Sequence, residues 1–155
     1  MRYRFDHVHL YADDVEATAA WYARVFGARV VRSRQSDGRP RVDLELEGLA
    51  LYLGDATKLR QSLGQTLHDA APSPHLGVDH FGLDVDDVEA AAVDLRAKGA
   101  TITMGPKTLR PGAACLFVAA PDGVTIEVLH RDRRLDAIPA DAREERVPTD
   151  TEETR

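Results

Sequence analysis

The chain holds one cysteine, Cys115, in 155 residues, so no disulfide can close within it and a reducing compartment is expected. No apolar run approaches bilayer-spanning length, and the opening Met1-Arg-Tyr-Arg-Phe5 lacks the apolar stretch of a secretory leader. A cytoplasmic protein is the expectation. Positive charge is in deficit, with 20 Lys and Arg against 26 Asp and Glu, a net charge of −6. That balance argues against a nucleic-acid or anionic-membrane partner. A phosphate-cradling glycine loop, a nucleophile elbow and a Cys-x-x-Cys pair are all absent. The chain length and an apolar share of 43% suit one globular domain with a real core.

What is present is an internal repeat. Residues 6–20, beginning Asp6-His-Val-His-Leu10, recur at an offset of 73 as residues 79–93, beginning Asp79-His-Phe-Gly-Leu83, with nine identities in fifteen positions. A motif found twice means two similar modules rather than a solenoid. The modules span 5–54 and 77–130 within one domain, 1–130, and residues 55–76 form the linker. In the first, residues 5–12 alternate as a strand, and Asp13 with Glu16 signals a capped helix with the apolar stripe Val15, Ala19, Tyr22 and Phe26. Gly27 ends that helix, residues 28–34 form a strand, and 41–46 with 49–53 form a hairpin about Glu47-Gly48. A short helix over 56–63 is possible in the linker.

The second module repeats the order. Residues 78–85 read as a strand, Asp86 and Glu89 cap a helix, and 100–104 is a strand followed by a loop holding Gly105, Pro106, Pro111 and Gly112. Residues 113–119 and 124–130 then pair through Pro121-Asp122-Gly123. The pattern predicts an α+β fold: two βαβββ modules forming a cupped mixed sheet with the helices on its outer face. Residues 131–155 carry six arginines, eight acids and no aromatic. They read as a solvated tail or as an arm across a partner subunit.

Strand alternation selects the candidate site. In the first strand Val8 and Leu10 face the helices, as do Phe81 and Leu83 in its repeat, Leu51 and Leu53, and Ile126 and Val128. His7, His80, Tyr52 and Glu127 therefore share the opposite face, where a pseudo-two-fold axis would gather them. Two imidazoles and a carboxylate, His7, His80 and Glu127, are a ligand set for one divalent ion, with Fe, Mn, Ni, Co, Zn and Mg all tenable. Three protein ligands leave positions open to substrate. His9 lies on the same face and has no counterpart, since Gly82 occupies its place; it is read either as a proton-moving group or as a space-filling side chain. Tyr52 donates to a substrate oxygen or lines the wall. Tyr11, Cys115 and Phe117 share the face as candidate substrate contacts, Cys115 as a small buried thiol. Trp21 is assigned to helix packing, and His68, His75 and His130 to surface roles.

These residues carry a resemblance. The two Asp-His-x-x-Leu-x-x-Asp-Asp-x-Glu openings, from Asp6 and from Asp79, Phe26-Gly27, and Ala120-Pro-Asp-Gly-x-x-Ile-Glu127 resemble the vicinal oxygen chelate superfamily. That superfamily includes glyoxalases, fosfomycin-resistance transferases, methylmalonyl-CoA epimerases, extradiol dioxygenases and bleomycin-binding proteins. The resemblance covers residues 5–130. It implies a cup around one metal, a small substrate that chelates it through adjacent oxygens, and commonly a homodimer, the site lying within one chain or across two. His7, His80 and Glu127 fall on the family's ligand positions. Tyr52 departs from the glutamate of glyoxalases and the glutamine of epimerases, and a phenol does not replace a glutamate base at neutral pH without a large pKa shift. The triad favours a dioxygenase slightly over a glyoxalase-like lyase or isomerase. Transferase potassium and phosphonate residues are not evident. A bleomycin-binding type of sequestering protein is the non-catalytic alternative, and intact ligands count against it.

Overall fold

The computed structural model describes residues 4–63 and 77–132. The expected order appears twice. Strand β1 (His7–Ala12) leads into helix α1 (Val15–Phe26), then β2 (Arg29–Arg34), β3 (Pro40–Leu46) and β4 (Leu49–Asp55). Helix α2 (Ala56–Leu63) opens the linker, whose remaining stretch, with His68 and His75, lies outside the described residues. The second module comprises β5 (Phe81–Asp84), α3 (Val88–Ala97), β6 (Thr101–Arg110), β7 (Ala113–Ala119) and β8 (Thr125–Arg131), with a 3-10 turn at Pro121–Gly123 before β8. The charged tail beyond residue 132 is likewise outside the described residues.

The fold is α+β, with two four-stranded mixed sheets ordered β1-β4-β3-β2 and β5-β8-β7-β6. In each sheet the first strand pairs parallel with the last and the other pairings are antiparallel. Parallel pairing needs a long crossover, which the helix and the two intervening strands supply.

Three of the differences from the sequence expectation have a local reason. The second aspartate of each pair is the helix cap: the Asp14 carboxylate accepts from Ala17 N–H, and that of Asp87 accepts from Glu89 and Ala90 N–H. Asp13 instead pairs with Arg60 of α2. Strand β6 continues through Gly105 and Pro106 to Arg110, with register shifts at Ile102/Met104, Met104/Lys107 and Thr108/Arg110. As the edge strand of its sheet it tolerates a proline and bulges that a central strand would not. Strand β5 begins only at Phe81, so Val78, Asp79 and His80 precede the ladder.

A single apolar cluster spans both modules. Tyr22 and Val25 of α1 with Leu44 and Leu51 of the first sheet join Leu95 of α3 with Leu116 and Ile126 of the second. Trp21 and Phe26 pack at its margin, Trp21 edge-on to Tyr22 with ring centroids 5.1 Å apart. A polar clasp crosses the same boundary. The Asp122 carboxylate accepts from Asp13 N–H at 3.1 Å and from the buried Thr18 hydroxyl at 3.0 Å, tying the β7–β8 turn to the start of α1. Asp122 holds φ at +57°, a region that Asp and Asn tolerate better than other side chains.

Asp122→Ala is expected to lower unfolding free energy in urea by about 1–3 kcal/mol, because it leaves a buried hydroxyl without its acceptor. Asp122→Asn, which keeps an acceptor and tolerates the backbone, should cost less. A pH effect follows from His130. Its Nδ1–H donates to Val85 O at 3.0 Å, and this bond, helped by Asp132 and Asp84, raises its pKa above the ordinary 6.5. A raised folded pKa favours the native state fully below about 6.5, and the benefit fades as pH climbs through the folded value. The melting temperature of wild type relative to His130→Gln should therefore fall across that window, and a pH-independent difference would contradict the assignment.

Candidate metal centre

Alternation in the strands sends the candidate side chains to the face of each sheet opposite the shared cluster. On β1, Val8 and Leu10 pack against the core while His7, His9 and Tyr11 point away from it. On β8, Ile126 and Val128 are buried, and Glu127 between them looks to the other side with 17% of its side chain exposed. Because the helix-facing sides of both sheets share one core, the two outer faces turn away from it. The candidates accordingly form two groups.

The first group is aromatic and basic. His7 stacks on Tyr52 with ring centroids 4.1 Å apart, and His9 stacks on Tyr11 at 4.8 Å. His9 is the register partner of Tyr52 across the β1–β4 ladder. From the β3 side, the Arg41 guanidinium carbon lies 4.3 Å from the Tyr52 ring centroid, and Arg41 Nε–H donates to Asp43 at 2.5 Å. Gly54 makes room for the rings: a Cβ there would fall 2.7 Å from Tyr11 and 2.9 Å from His9 Nε2. His9, Tyr11, Arg41, Asp43 and Tyr52 border an open depression of about 670 Å³ that reaches Lys58 and Leu59 of α2, a volume suited to a small ligand.

The second group is compact. His80 Nε2 lies 3.5 Å from Glu127 Oε2. Phe117 meets the His80 ring edge-on at 5.1 Å and is the register partner of Glu127. Gly82 holds the position that His9 fills in module one; a Cβ there would come within 3.8 Å of Glu127 Oε2 and 3.1 Å of Leu129, so a longer side chain would crowd the carboxylate. Cys115 is fully buried, and burial followed by the Glu127 charge pushes its thiol pKa up. Its side chain lies beside the carboxylate and is closed off from the open face in a single copy of the chain.

Two donors each about 2.1 Å from one divalent cation can stand 3.5 Å apart, so the His80–Glu127 pair suits two ligand positions. Among the described residues, no three His, Cys, Asp or Glu side chains form a closed metal set within one chain. His7 belongs with Tyr52 and His9, and His80 with Glu127. Three residues given no role by the sequence reading also stand out: Arg41 on Tyr52, and Asp6 and Asp79, whose carboxylates hold the Nδ1 atoms of His7 and His80. Asp6 and Asp79 were visible in the repeat; Arg41 was not, because its stacking depends on the β3–β4 register.

Residues 4–128 match the family described as the Glyoxalase/Bleomycin resistance protein/Dioxygenase superfamily. The chain belongs to that superfamily. Members generally use a divalent metal, and the donor types here fit that use. Among curated relatives, "Lactoylglutathione lyase GLX1" of Arabidopsis thaliana is 28% identical over 134 residues, covering 83% of this chain and 44% of the relative. A putative lactoylglutathione lyase of Brassica oleracea var. gemmifera matches to the same extent. The chain thus spans somewhat less than half the length of these relatives. Among solved structures, a glyoxalase/bleomycin resistance protein/dioxygenase from Nocardioides is 22% identical with a TM-score of 0.60, covering 87% of this chain and 92% of that one. The genomically encoded fosfomycin resistance protein FosX from Listeria monocytogenes is 14% identical with a TM-score of 0.62, covering 88% and 96%. At these identities the structures share the fold. No described helix is long and apolar enough to cross a membrane.

Proposed function

We propose that the protein is a divalent-metal-dependent enzyme acting on a small substrate with adjacent oxygens, and that its site is completed by two copies of the chain. His80 and Glu127 of one copy would hold the cation together with His7 of the other. The observation that carries this reading is the division of the ligands: His80 and Glu127 stand as a pair while His7 lies in a separate group. Two identical copies related by a two-fold axis would form two such sites, each pairing a module-one face with a module-two face.

A bound cation would supply Lewis acidity and two-point binding of the substrate oxygens. The chain would do the rest. Phe117 walls one side and keeps water from His80. The Tyr52 hydroxyl donates a hydrogen bond to a substrate oxygen, with Arg41 beside its ring favouring negative charge nearby. His9, exposed on the same face, accepts or returns a proton at Nε2.

Two His and one carboxylate, with tyrosine where a glutamate base would serve an isomerase, support a dioxygenase-type reaction. The lactoylglutathione lyases among the relatives support the second reading, a lyase or isomerase in which His9 moves the proton.

Metal content by mass spectrometry is expected to approach one divalent ion per chain in wild type and to fall at least tenfold in His80→Ala and Glu127→Ala. With Fe(II) reconstituted, oxygen uptake together with a ring-opened product from a catechol would establish ring cleavage; interconversion of lactoylglutathione with glutathione and an oxoaldehyde, without release of lactate, would establish the lyase. Ligand capture without any metal dependence would instead identify a sequestering protein and overturn the proposal.

A further inference from the structure

Both half-sites open on the same dipeptide, Asp6-His7 and Asp79-His80. In each, the aspartate carboxylate meets Nδ1 of the histidine that follows it, at 2.6 Å in module one and 2.9 Å in module two. Sequence neighbours in a regular strand point to opposite faces, so this contact does not come with sheet formation. It is possible because β1 starts at His7 and β5 only at Phe81, which leaves both aspartates outside the ladders. The arrangement was built twice, on two strands that differ at the next two positions, Val8-His9 against Phe81-Gly82.

We propose that Asp6 and Asp79 are positioning residues that hold each imidazole as its Nδ1–H tautomer and present the Nε2 lone pair to the open face. A carboxylate offers only lone pairs, so the proton of the shared bond sits on Nδ1, and in the neutral ring Nε2 is left bare. In module two this has a direct consequence. Nε2 of His80 then faces Glu127 Oε2, acceptor to acceptor, at 3.5 Å. In the neutral ring neither satisfies the other, and the pair is completed by an electrophile between them, a second proton or, under the function proposed above, the divalent cation. Carboxylates behind ligating histidines also raise ligand basicity, and their loss typically costs 10–100-fold in metal affinity. The two dyads differ in shelter: the Asp79 side chain is 23% exposed and that of Asp6 79%. Solvent screens the exposed bond more, so Asp79 contributes the larger effect.

The test separates positioning from metal binding. Long-range proton–nitrogen spectra of metal-free, nitrogen-15-labelled protein at neutral pH read the tautomer of each histidine. Wild-type His80 is expected to carry its proton on Nδ1. Asp79→Ala should move it toward Nε2 and weaken Zn(II) binding, measured by competition with a chromogenic chelator, by about 10–100-fold. Asp79→Asn keeps an acceptor but not the charge, so it should retain the tautomer with a smaller loss of affinity; it also serves if the alanine variant does not fold. Asp6→Ala should weaken Zn(II) binding less than Asp79→Ala. A wild-type His80 protonated on Nε2, alone or together with Nδ1, or a tautomer and affinity unchanged in both Asp79 variants, would overturn the positioning role. If wild type binds no Zn(II), the metal reading fails on its own, and the metal-free spectra still decide for or against the positioning role.

Discussion

Every strand in these sheets has two faces, and the apolar core claims one of them. The helix-facing sides of both sheets meet in one cluster through Leu44, Leu51, Leu116 and Ile126, with Tyr22 and Leu95 from the helices. Burying such side chains contributes about 1.5–3 kcal/mol each, against about 0.5–1.5 kcal/mol for a typical hydrogen bond, and the cluster holds many of them. Once that cluster forms, alternation leaves His7, His9 and Tyr52 on one outward face and His80 and Glu127 on another. The division of the site follows from the core. The Asp122 clasp reinforces the same packing by joining the β7–β8 turn of one module to α1 of the other.

The two modules share a plan and have diverged in chemistry at equivalent positions. Module one carries His9 where module two carries Gly82, and Tyr52 where module two carries Glu127. The first exchange fills the face with imidazole in one half and clears space over the carboxylate in the other. The second puts an aromatic ring in one half, sandwiched along the sheet between His7 and Arg41, and a carboxylate in the other. One half is therefore a ring-lined basin with a single candidate ligand, and the other a tight two-donor corner. Each supplies what its counterpart lacks.

The repeat made the element order legible, and period-two alternation identified which residues share a face. His7 with Tyr52, and His80 with Glu127 and Phe117, lie on the faces that alternation assigns. What alternation does not report is how one sheet lies against another. Whether His7 meets His80 and Glu127 depends on module packing, which many side chains of the shared core set at once. Local capping was legible to within one residue: Asp14 and Asp87 cap the helices, while the Asp13 carboxylate pairs with Arg60. The extension of β6 past Gly105-Pro106 was hidden because those residues signal a loop except on an edge strand. Arg41 was hidden because its place beside Tyr52 depends on cross-strand register.

The central claim is that one site takes His7 from one copy and His80 with Glu127 from another. Co-expression of His7→Ala with His80→Ala chains tests it most directly. Neither variant alone binds metal under this account, but a mixed dimer has one intact site of two. Random pairing makes half of the dimers mixed, so the co-expressed pool should recover about a quarter of the wild-type metal content. Recovery indistinguishable from that of the separate variants would contradict a site shared between copies.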